Sequence, residues 1–314
     1  MSRRRVLLLL KPFDVYPPRN KPSSSPLSRP LNPQVLRYLN DRCRVHKDTI
    51  DFCQDVLQRK HLDWEPILRN NLFQPIRHFD LVITVGGDGT LLRASHFIDD
   101  TVPVLGVNSD PTQPEEVDQF NDDFDATRST GYLCAATASN FEQVLDEILE
   151  GHRSPSDLSR ISIKLNDQLL STYALNDILV AHPCPATVSR FSFRMNTKNQ
   201  NHSLINCRSS GLRTCTPAGS TAAMLSAGGF PVPISSRELQ YMVREPISPK
   251  AMDIPWMHGL VKHDESVHVA WYSKEGAMYV DGSHVSYSIQ HGDVIEISTK
   301  APSLKVYLSQ SLLR

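Results

Sequence analysis

A short apolar run, Phe79 to Val85 (FDLVITV), leads directly into Gly86-Gly87-Asp88-Gly89-Thr90, and helical spacing of apolar residues follows at Leu91, Leu92, Ala94 and Phe97. A continuous run of that length, rich in β-branched residues, fits a strand buried on both faces of a parallel sheet. Val102 to Val107 (VPVLGV) supplies the next strand. Strand, glycine turn, helix and strand make a βαβ unit, which commits the first half of the chain to an open α/β fold. In such folds ligands bind at the carboxyl ends of the strands, where this glycine turn falls.

The turn has a chemical reading. Glycines allow positive φ and let backbone N–H groups approach phosphate oxygens, and the helix that follows adds its positive end. An aspartate among them would repel a phosphate unless it has a task. It can accept a hydroxyl proton or hold Mg²⁺, and phosphoryl transfer needs both. Asp88 is therefore the candidate catalytic residue, and Gly86, Gly87, Gly89 and Thr90 are the candidate phosphate cradle. Taken alone, the five-residue string reads equally well as a plain joint between strand and helix.

The rest of the chain divides in two. Residues 5–10 read as a first strand rather than a signal peptide, because Lys11-Pro12 cuts the apolar run off after five residues. Asp14 to Pro33 is a Pro/Ser-rich loop. Helical spacing marks Pro33 to Asn40, Asp51 to Arg59, and Phe141 to Leu149, the last closed by Gly151 and Pro155. The texture then changes. Ser159 to Leu165 alternates, Asn166-Asp167 looks like a hairpin turn, and Gln168 to Val180 resumes. Ser189 to Met195, Ser266 to Tyr272 and Val294 to Ser298 alternate as well. Period-two patterns between turn signals indicate antiparallel β structure. The expected division is an α/β domain over 1–156 and a mainly β domain over 157–314.

Composition removes several functions. The 314 residues carry a net charge of −1, so no global field draws nucleic acid or an anionic membrane. No stretch approaches the roughly 20 apolar residues of a membrane span. Six cysteines without a C-x-x-C pair, and twelve histidines without a metal-ligand spacing, predict no metal site and reduced thiols, with the cytoplasm as the default compartment.

A second motif decides between the readings of the first. Thr214 to Gly229 (TCTPAGSTAAMLSAGG) combines hydroxyls at Ser220 and Thr221 with small residues at Gly219 and Ala222, which lets a flat ring or ribose lie close. The bland alternative is a small-residue loop packed against a helix starting near Thr221. GGDGT followed by this segment resembles the NAD kinase family, whose second motif usually reads TPTGSTAYSLSAGG. Leu175-Asn176-Asp177-Ile178 resembles the family's L-N-E/D segment. Tyr279-Val-Asp-Gly282, followed by Gly292-Asp293-Val-Ile-Glu-Ile297, resembles its D-G…G-D-x-I-x-I ending. A particular likeness to the plant NADH kinases lies in Asn176 to Ser192 and Arg244 to Ser248. The sequence departs from the family at Asn108-Ser-Asp-Pro-Thr-Gln113, where Asn-x-Gly-x-Leu-Gly-Phe is usual. It departs also at Ala223, usually tyrosine, and at Ser210, usually aspartate.

The resemblance implies a two-domain kinase with an α/β domain like those of NAD and diacylglycerol kinases, followed by a β-sandwich-like domain, the chain's last residues packing back on the first. It implies ATP-dependent phosphorylation of the 2′-hydroxyl of the adenosine ribose of NADH, and more weakly of NAD⁺, with Mg²⁺ arriving on ATP. Asp88 would be the general base. Asn176, Asp177, Thr216, Ser220, Thr221 and Ala222 would hold the dinucleotide between the domains of a homodimer. Replacing the family aspartate by Ser210 removes a counter-charge for oxidised nicotinamide and so favours NADH. A lipid kinase of the diacylglycerol or sphingosine type also carries a GGDGT-like loop, but TPAGSTA is not expected of it. A non-catalytic NAD(H) sensor would have no need of Asp88.

Overall fold

The structure is a computed structural model that describes residues 4–13, 32–196, 204–247, 250 and 253–313. The Pro/Ser-rich segment from Asp14 to Leu31 lies outside the described residues, as do Arg3 and Ser248. The chain forms two compact units, Met1–Pro155 with Lys305–Arg314, and Ser156–Leu304.

In the first unit, β1 (Arg5–Leu10), β2 (Asp63–Leu68), β3 (Leu81–Gly86) and β4 (Val104–Asn108) run parallel in the order β2-β1-β3-β4. The strand Leu304–Tyr307 adds beside β4, with Val306 opposite Val104. β3 and β4 are buried along their whole length, as their unbroken apolar runs require. β2 was not legible: it is a half-exposed edge strand carrying Pro66, and its sequence lacks a strand's apolar signature.

The helix α1 spans Pro33–Arg59 without a break. Asn32 caps it by accepting the Gln34 N–H at 2.9 Å, and Pro33 pre-sets the first turn. The sequence suggested two helices here. They are one because His46, Thr49 and Ile50 keep the inward spacing through the middle, and no glycine or proline interrupts it. Three more helices follow: α2 (Asp88–Ser95), α3 (Pro114–Phe120) and α4 (Phe141–Leu149). Ile50, Cys53, Val56 and Leu57 of α1 share one core with Phe141, Val144, Leu145 and Ile148 of α4 and with alternate residues of β1 and β3. A paired bridge from Arg59 to Glu142, both bonds 2.9 Å, lies at the exposed edge of that contact.

The strand order has a functional consequence. From β1 the chain crosses to β2 on one side and then returns to β3 on the other. The sheet's switch point therefore lies between β1 and β3, where an open α/β sheet leaves a crevice at its carboxyl edge. Lys11 closes β1 by donating its N–H to Val85 O at 2.9 Å, so Lys11 and Gly86-Gly87 meet at that point.

The second unit is two six-stranded antiparallel sheets. The first runs in the order 205–209, 189–196, 266–271, 294–298, 162–165, 168–169. The second runs 258–261, 239–244, 211–215, 177–181, 275–280, 285–290. Phe191, Phe193, Trp271 and Ile295 of one sheet and Val180, Leu212, Tyr241 and Met278 of the other form a single core, which makes the unit a β-sandwich. Phe193 and Tyr241 meet across it with ring centroids 5.8 Å apart. Asn166 and Asp167 both have positive φ, 49° and 66°, as a two-residue hairpin turn demands. The stretch Gln168 to Val180 is not one strand. Gln168–Leu169 belongs to the first sheet and Asp177–Ala181 to the second, and the chain between them crosses the sandwich.

Candidate active site

The glycine turn of the first unit is built by steric exclusion. A Cβ on Gly86 would lie 2.3 Å from Thr90 Oγ1, and one on Gly87 2.3 Å from Ser129 Oγ. Only bare backbone fits, and the Thr90 N–H bonds back to Gly87 O at 2.9 Å to start α2. Gly89 is exposed and Thr90 is fully buried. Asp88 opens α2, and its carboxylate reaches the turn at Gly131, accepting the N–H groups of Tyr132 and Leu133 at 2.9 Å each. Burial raises its pKa above the ordinary value, against the pull of those two N–H groups and of the Cys134 thiol 3.9 Å away. Oδ2 has spent one lone pair on the backbone and keeps another, whereas Oδ1 takes both the Leu133 N–H and the Cys134 thiol. The result is a fixed carboxylate with enhanced proton affinity at the head of a helix.

Cations surround this turn. Lys11 follows β1, and Arg69 follows β2 with its Nη1 3.5 Å from Thr90 Oγ1. Burial lowers the Lys11 pKa, and the charges of Arg42 and Arg69 lower it further, while Asp110 pulls the other way. Lys11 O also meets Nε2 of the buried His46 at 2.9 Å, and His46 Nδ1 meets Ser109 Oγ at 2.7 Å. Beyond β4, buried Asp110 takes Arg42 at 2.8 Å and Arg128 at 2.9 Å, and Arg128 also pairs with Glu116. This explains one departure from the family: Asp110 replaces a small residue because two guanidinium groups converge on it. Lys11, Arg69 and Arg128 were missed in the sequence because they lie in separate segments far apart along the chain. Their shared signal is position, each close to the carboxyl edge of the sheet.

In the second unit three motifs become one cluster. The Asp281 carboxylate accepts the consecutive N–H groups of Leu175, Asn176 and Asp177 at 2.8, 2.7 and 3.0 Å. Asn176 O accepts the Thr216 N–H at 2.9 Å, and Thr216 Oγ1 bonds Leu175 O at 2.5 Å. A Cβ on Gly219 would lie 2.1 Å from Asn176 O, so glycine is obligatory there. The Ser220 hydroxyl donates to Pro217 O at 2.7 Å and accepts the Val232 N–H at 2.8 Å, which spends it on holding the turn. Thr221 Oγ1 makes a long bond, 3.4 Å, to Ala218 O. Ala222 and Ala223 are exposed, and Met224 alone of the short helix Ala223–Ser226 is buried, against Cys215 and Met242.

Several polar atoms of this cluster are buried without a hydrogen-bond partner among the described residues: Asn176 Oδ1, Arg213 Nε and Thr214 Oγ1. Buried polar groups of that kind are commonly met by ordered water or a ligand. Asp177 pairs with Arg213, and burial pushes its carboxyl up to about 6, with Asp281 adding to the rise and Arg213 opposing it. Arg213 also lines a cavity of about 480 Å³ with Ala223, Ala227, Met242 and Arg244. Among the described residues no group of three or more His, Cys, Asp or Glu side chains could hold a metal ion. No helix among them is long and apolar enough to cross a membrane.

A family model described as the ATP-NAD kinase N-terminal domain matches residues 33–110. The chain belongs to the NAD kinase family. It is 65% identical to a protein of Oryza sativa subsp. japonica named probable NADH kinase, over 100% of this chain and 99% of that one. It is 60% identical to the NADH kinase of Arabidopsis thaliana over 99% of this chain and 98% of the relative. In fold it is similar to an NAD kinase from Archaeoglobus fulgidus solved in complex with ATP, with a TM-score of 0.66 at 20% identity over 98% of this chain and 95% of the other. The lipid-kinase and sensor alternatives find no support in these relatives.

Asp281 should matter to stability before it matters to chemistry. Asp281→Ala strands three adjacent N–H groups, and each unmet buried group costs about 1–3 kcal/mol. Thermal unfolding of Asp281→Ala should show a loss of several kcal/mol, and a variant as stable as the wild type would show that water replaces the carboxylate at no cost.

Proposed function

We propose that the chain transfers the terminal phosphoryl group of ATP to the 2′-hydroxyl of the adenosine ribose of NADH, and more weakly of NAD⁺. The observation that carries this reading is the Asp88 carboxylate, fixed at the head of α2 by two main-chain N–H groups and given a raised proton affinity by burial. The free lone pair of its Oδ2 accepts the hydroxyl proton as the acceptor oxygen attacks. Gly86, Gly87, Gly89 and Thr90 cradle phosphate oxygens, and Lys11 and Arg69 offset their charge. Mg²⁺ enters as part of the ATP substrate. Most of the rate enhancement then comes from alignment and charge neutralisation.

Asn176, Asp177, Thr216, Ser220, Thr221 and Ala222 hold the dinucleotide in this reading. Asn176 offers its unmet Oδ1 directly, whereas Thr216 and Ser220 act by fixing the shape of the turn. The names of the rice and Arabidopsis relatives support NADH as the preferred substrate. The physical support is Ser210, whose N–H bonds Arg244 O at 3.0 Å, beside a cavity-lining residue. A carboxylate at that position would attract a cationic nicotinamide, and serine does not.

The cytoplasm and a homodimer complete the proposal. All six cysteines are free, in keeping with a reducing compartment. Ile254, Trp256 and Leu260 are exposed on or beside the edge strand 258–261 of the second unit, a surface suited to self-association.

Four outcomes test the reading. As a general base Asp88 must be ionised, so kcat/KM should fall on acidification with an apparent pKa above the ordinary aspartate value of 3.8. Asp88→Asn should lower kcat by about two orders of magnitude or more. It should also lower stability by about 1–3 kcal/mol, because an amide NH₂ would face one of the two backbone donors. Near-normal turnover would remove Asp88 from the chemistry. Ser210→Asp should move the kcat/KM ratio several-fold towards NAD⁺, by roughly 1 kcal/mol, if position 210 senses the ring charge. An unmoved ratio would place the ring elsewhere. Sedimentation of the purified chain should give twice the monomer mass, and Trp256→Glu should halve it; a monomeric wild type would end the dimer proposal.

A further inference from the structure

His46 is a titratable side chain in the middle of α1 with no exposed surface, and the chemistry proposed above makes no use of it. Both of its ring nitrogens are engaged. Nε2 lies 2.9 Å from Lys11 O, and Nδ1 lies 2.7 Å from Ser109 Oγ. A carbonyl oxygen can only accept, so Nε2 carries a proton. Burial lowers the pKa of the ring, and the charges of Lys11 and Arg69 lower it further, while the Lys11 carbonyl and Asp110 pull the other way. The imidazole is therefore neutral at neutral pH, Nδ1 is bare, and the Ser109 hydroxyl donates to it. A neutral ring without exposed surface cannot act as a counter-charge for phosphate. What it contributes is geometry.

The two groups it joins stand on either side of the glycine turn. In the order β1-β3-β4, β3 ends at Gly86 between the ends of β1 and β4. Lys11 follows β1 and donates its N–H to Val85 O at 2.9 Å, and Ser109 follows β4 and donates its N–H to Gly86 O at 3.0 Å. His46 adds a second point of attachment to each. With its N–H on β3 and its carbonyl on His46, Lys11 has both main-chain polar groups held, which sets the direction in which its side chain leaves. A Cβ on Gly86 would lie 3.0 Å from Lys11 Cβ, so that side chain starts against the turn. On the other flank the Ser109 hydroxyl is held by His46, and the Ser109 carbonyl accepts the Thr49 hydroxyl at 3.2 Å, also from α1.

We propose that His46 is a positioning residue for the phosphate turn: one imidazole bridges Lys11 and Ser109, and so fixes the spacing of the two segments between which Gly86 and Gly87 receive the phosphate oxygens of ATP. The proposal rests on the kinase reading above and gives α1 a part in it. His46 acts through Lys11 and Ser109 and has no surface with which to touch a substrate.

The test is kinetic and uses the full chain, with ADP release as the signal and KM for ATP and for NADH read separately. The amide of His46→Asn stands where Nδ1 stood, so it can meet Ser109 but loses Lys11. The longer side chain of His46→Gln carries its NH₂ to the place of Nε2 and keeps Lys11. His46→Asn should raise KM for ATP by about five-fold or more and leave KM for NADH within about two-fold of the wild type. His46→Gln should keep both KM values within about two-fold. A merely structural role would not separate the two substrates, because a smaller folded fraction lowers kcat and leaves both KM values in place. Should His46→Asn fail to fold, as thermal unfolding would reveal, Ser109→Ala removes the other end of the bridge and should move KM for ATP in the same direction. An unmoved KM for ATP in whichever of these two variants folds, equal shifts for both substrates, or a His46→Gln no better than His46→Asn overturns the proposal. A wild-type chain that releases no ADP from ATP and NADH overturns the kinase reading instead.

Discussion

Three successive main-chain N–H groups, those of Leu175, Asn176 and Asp177, converge on the carboxylate of Asp281, and the second unit's candidate site hangs from that convergence. Such bonds to a charged acceptor are about twice as strong as neutral ones. They fix the entry to the strand Asp177–Ala181, from Leu175 to its first residue. Once its N–H groups are held on one side, its carbonyls face the other way. Leu175 O then takes the Thr216 hydroxyl, and Asn176 O takes the Thr216 N–H. The turn at Gly219 must pass so close to Asn176 O that no side chain is tolerated. Sequence segments more than a hundred residues apart thus share one set of hydrogen bonds.

Asp88 answers to the same physics with a different balance. It receives two N–H groups rather than three, and burial outweighs them, so its proton affinity rises. A carboxylate saturated by backbone donors is a fastener. One that receives fewer amides is held less completely. The two aspartates sit in similar-looking Asp-Gly strings and differ in the number of amides aimed at each.

The parts of the fold legible in the sequence were those set by local pattern. The FDLVITV run became β3, beginning two residues later than its apolar start, and the alternating runs at 189–195 and 294–298 became strands of the sandwich. The Asn166-Asp167 turn was legible because few residues tolerate positive φ. What local pattern could not carry was convergence. Lys11 and Arg69 come together because each follows a parallel strand, and no spacing along the chain records that. The Ser220 hydroxyl looked like a ligand donor by type, yet the folded turn consumes it, as it does the Thr216 hydroxyl that the family resemblance assigned to the dinucleotide. Nor could α1 be seen as one helix, since the polar residues of its middle turns masked the inward spacing of His46, Thr49 and Ile50.

The first unit is discontinuous: its sheet takes the strand Leu304–Tyr307 beside β4, with Tyr307 in its core, after the whole second unit has intervened. A ribosome delivers residues in order, so β4 emerges long before the strand that completes its edge. During that interval the Val104–Leu105 half of that edge stays unpaired, while Ala136–Thr137 covers Val107 and Asn108, and the open half is a template for wrong pairing. The second unit, whose strands 162–298 are contiguous, can close as soon as it is made. Synthesis therefore leaves the N-terminal half waiting on the C-terminal tail, and the nascent chain's most vulnerable stage falls after the sandwich has formed and before its last strand arrives.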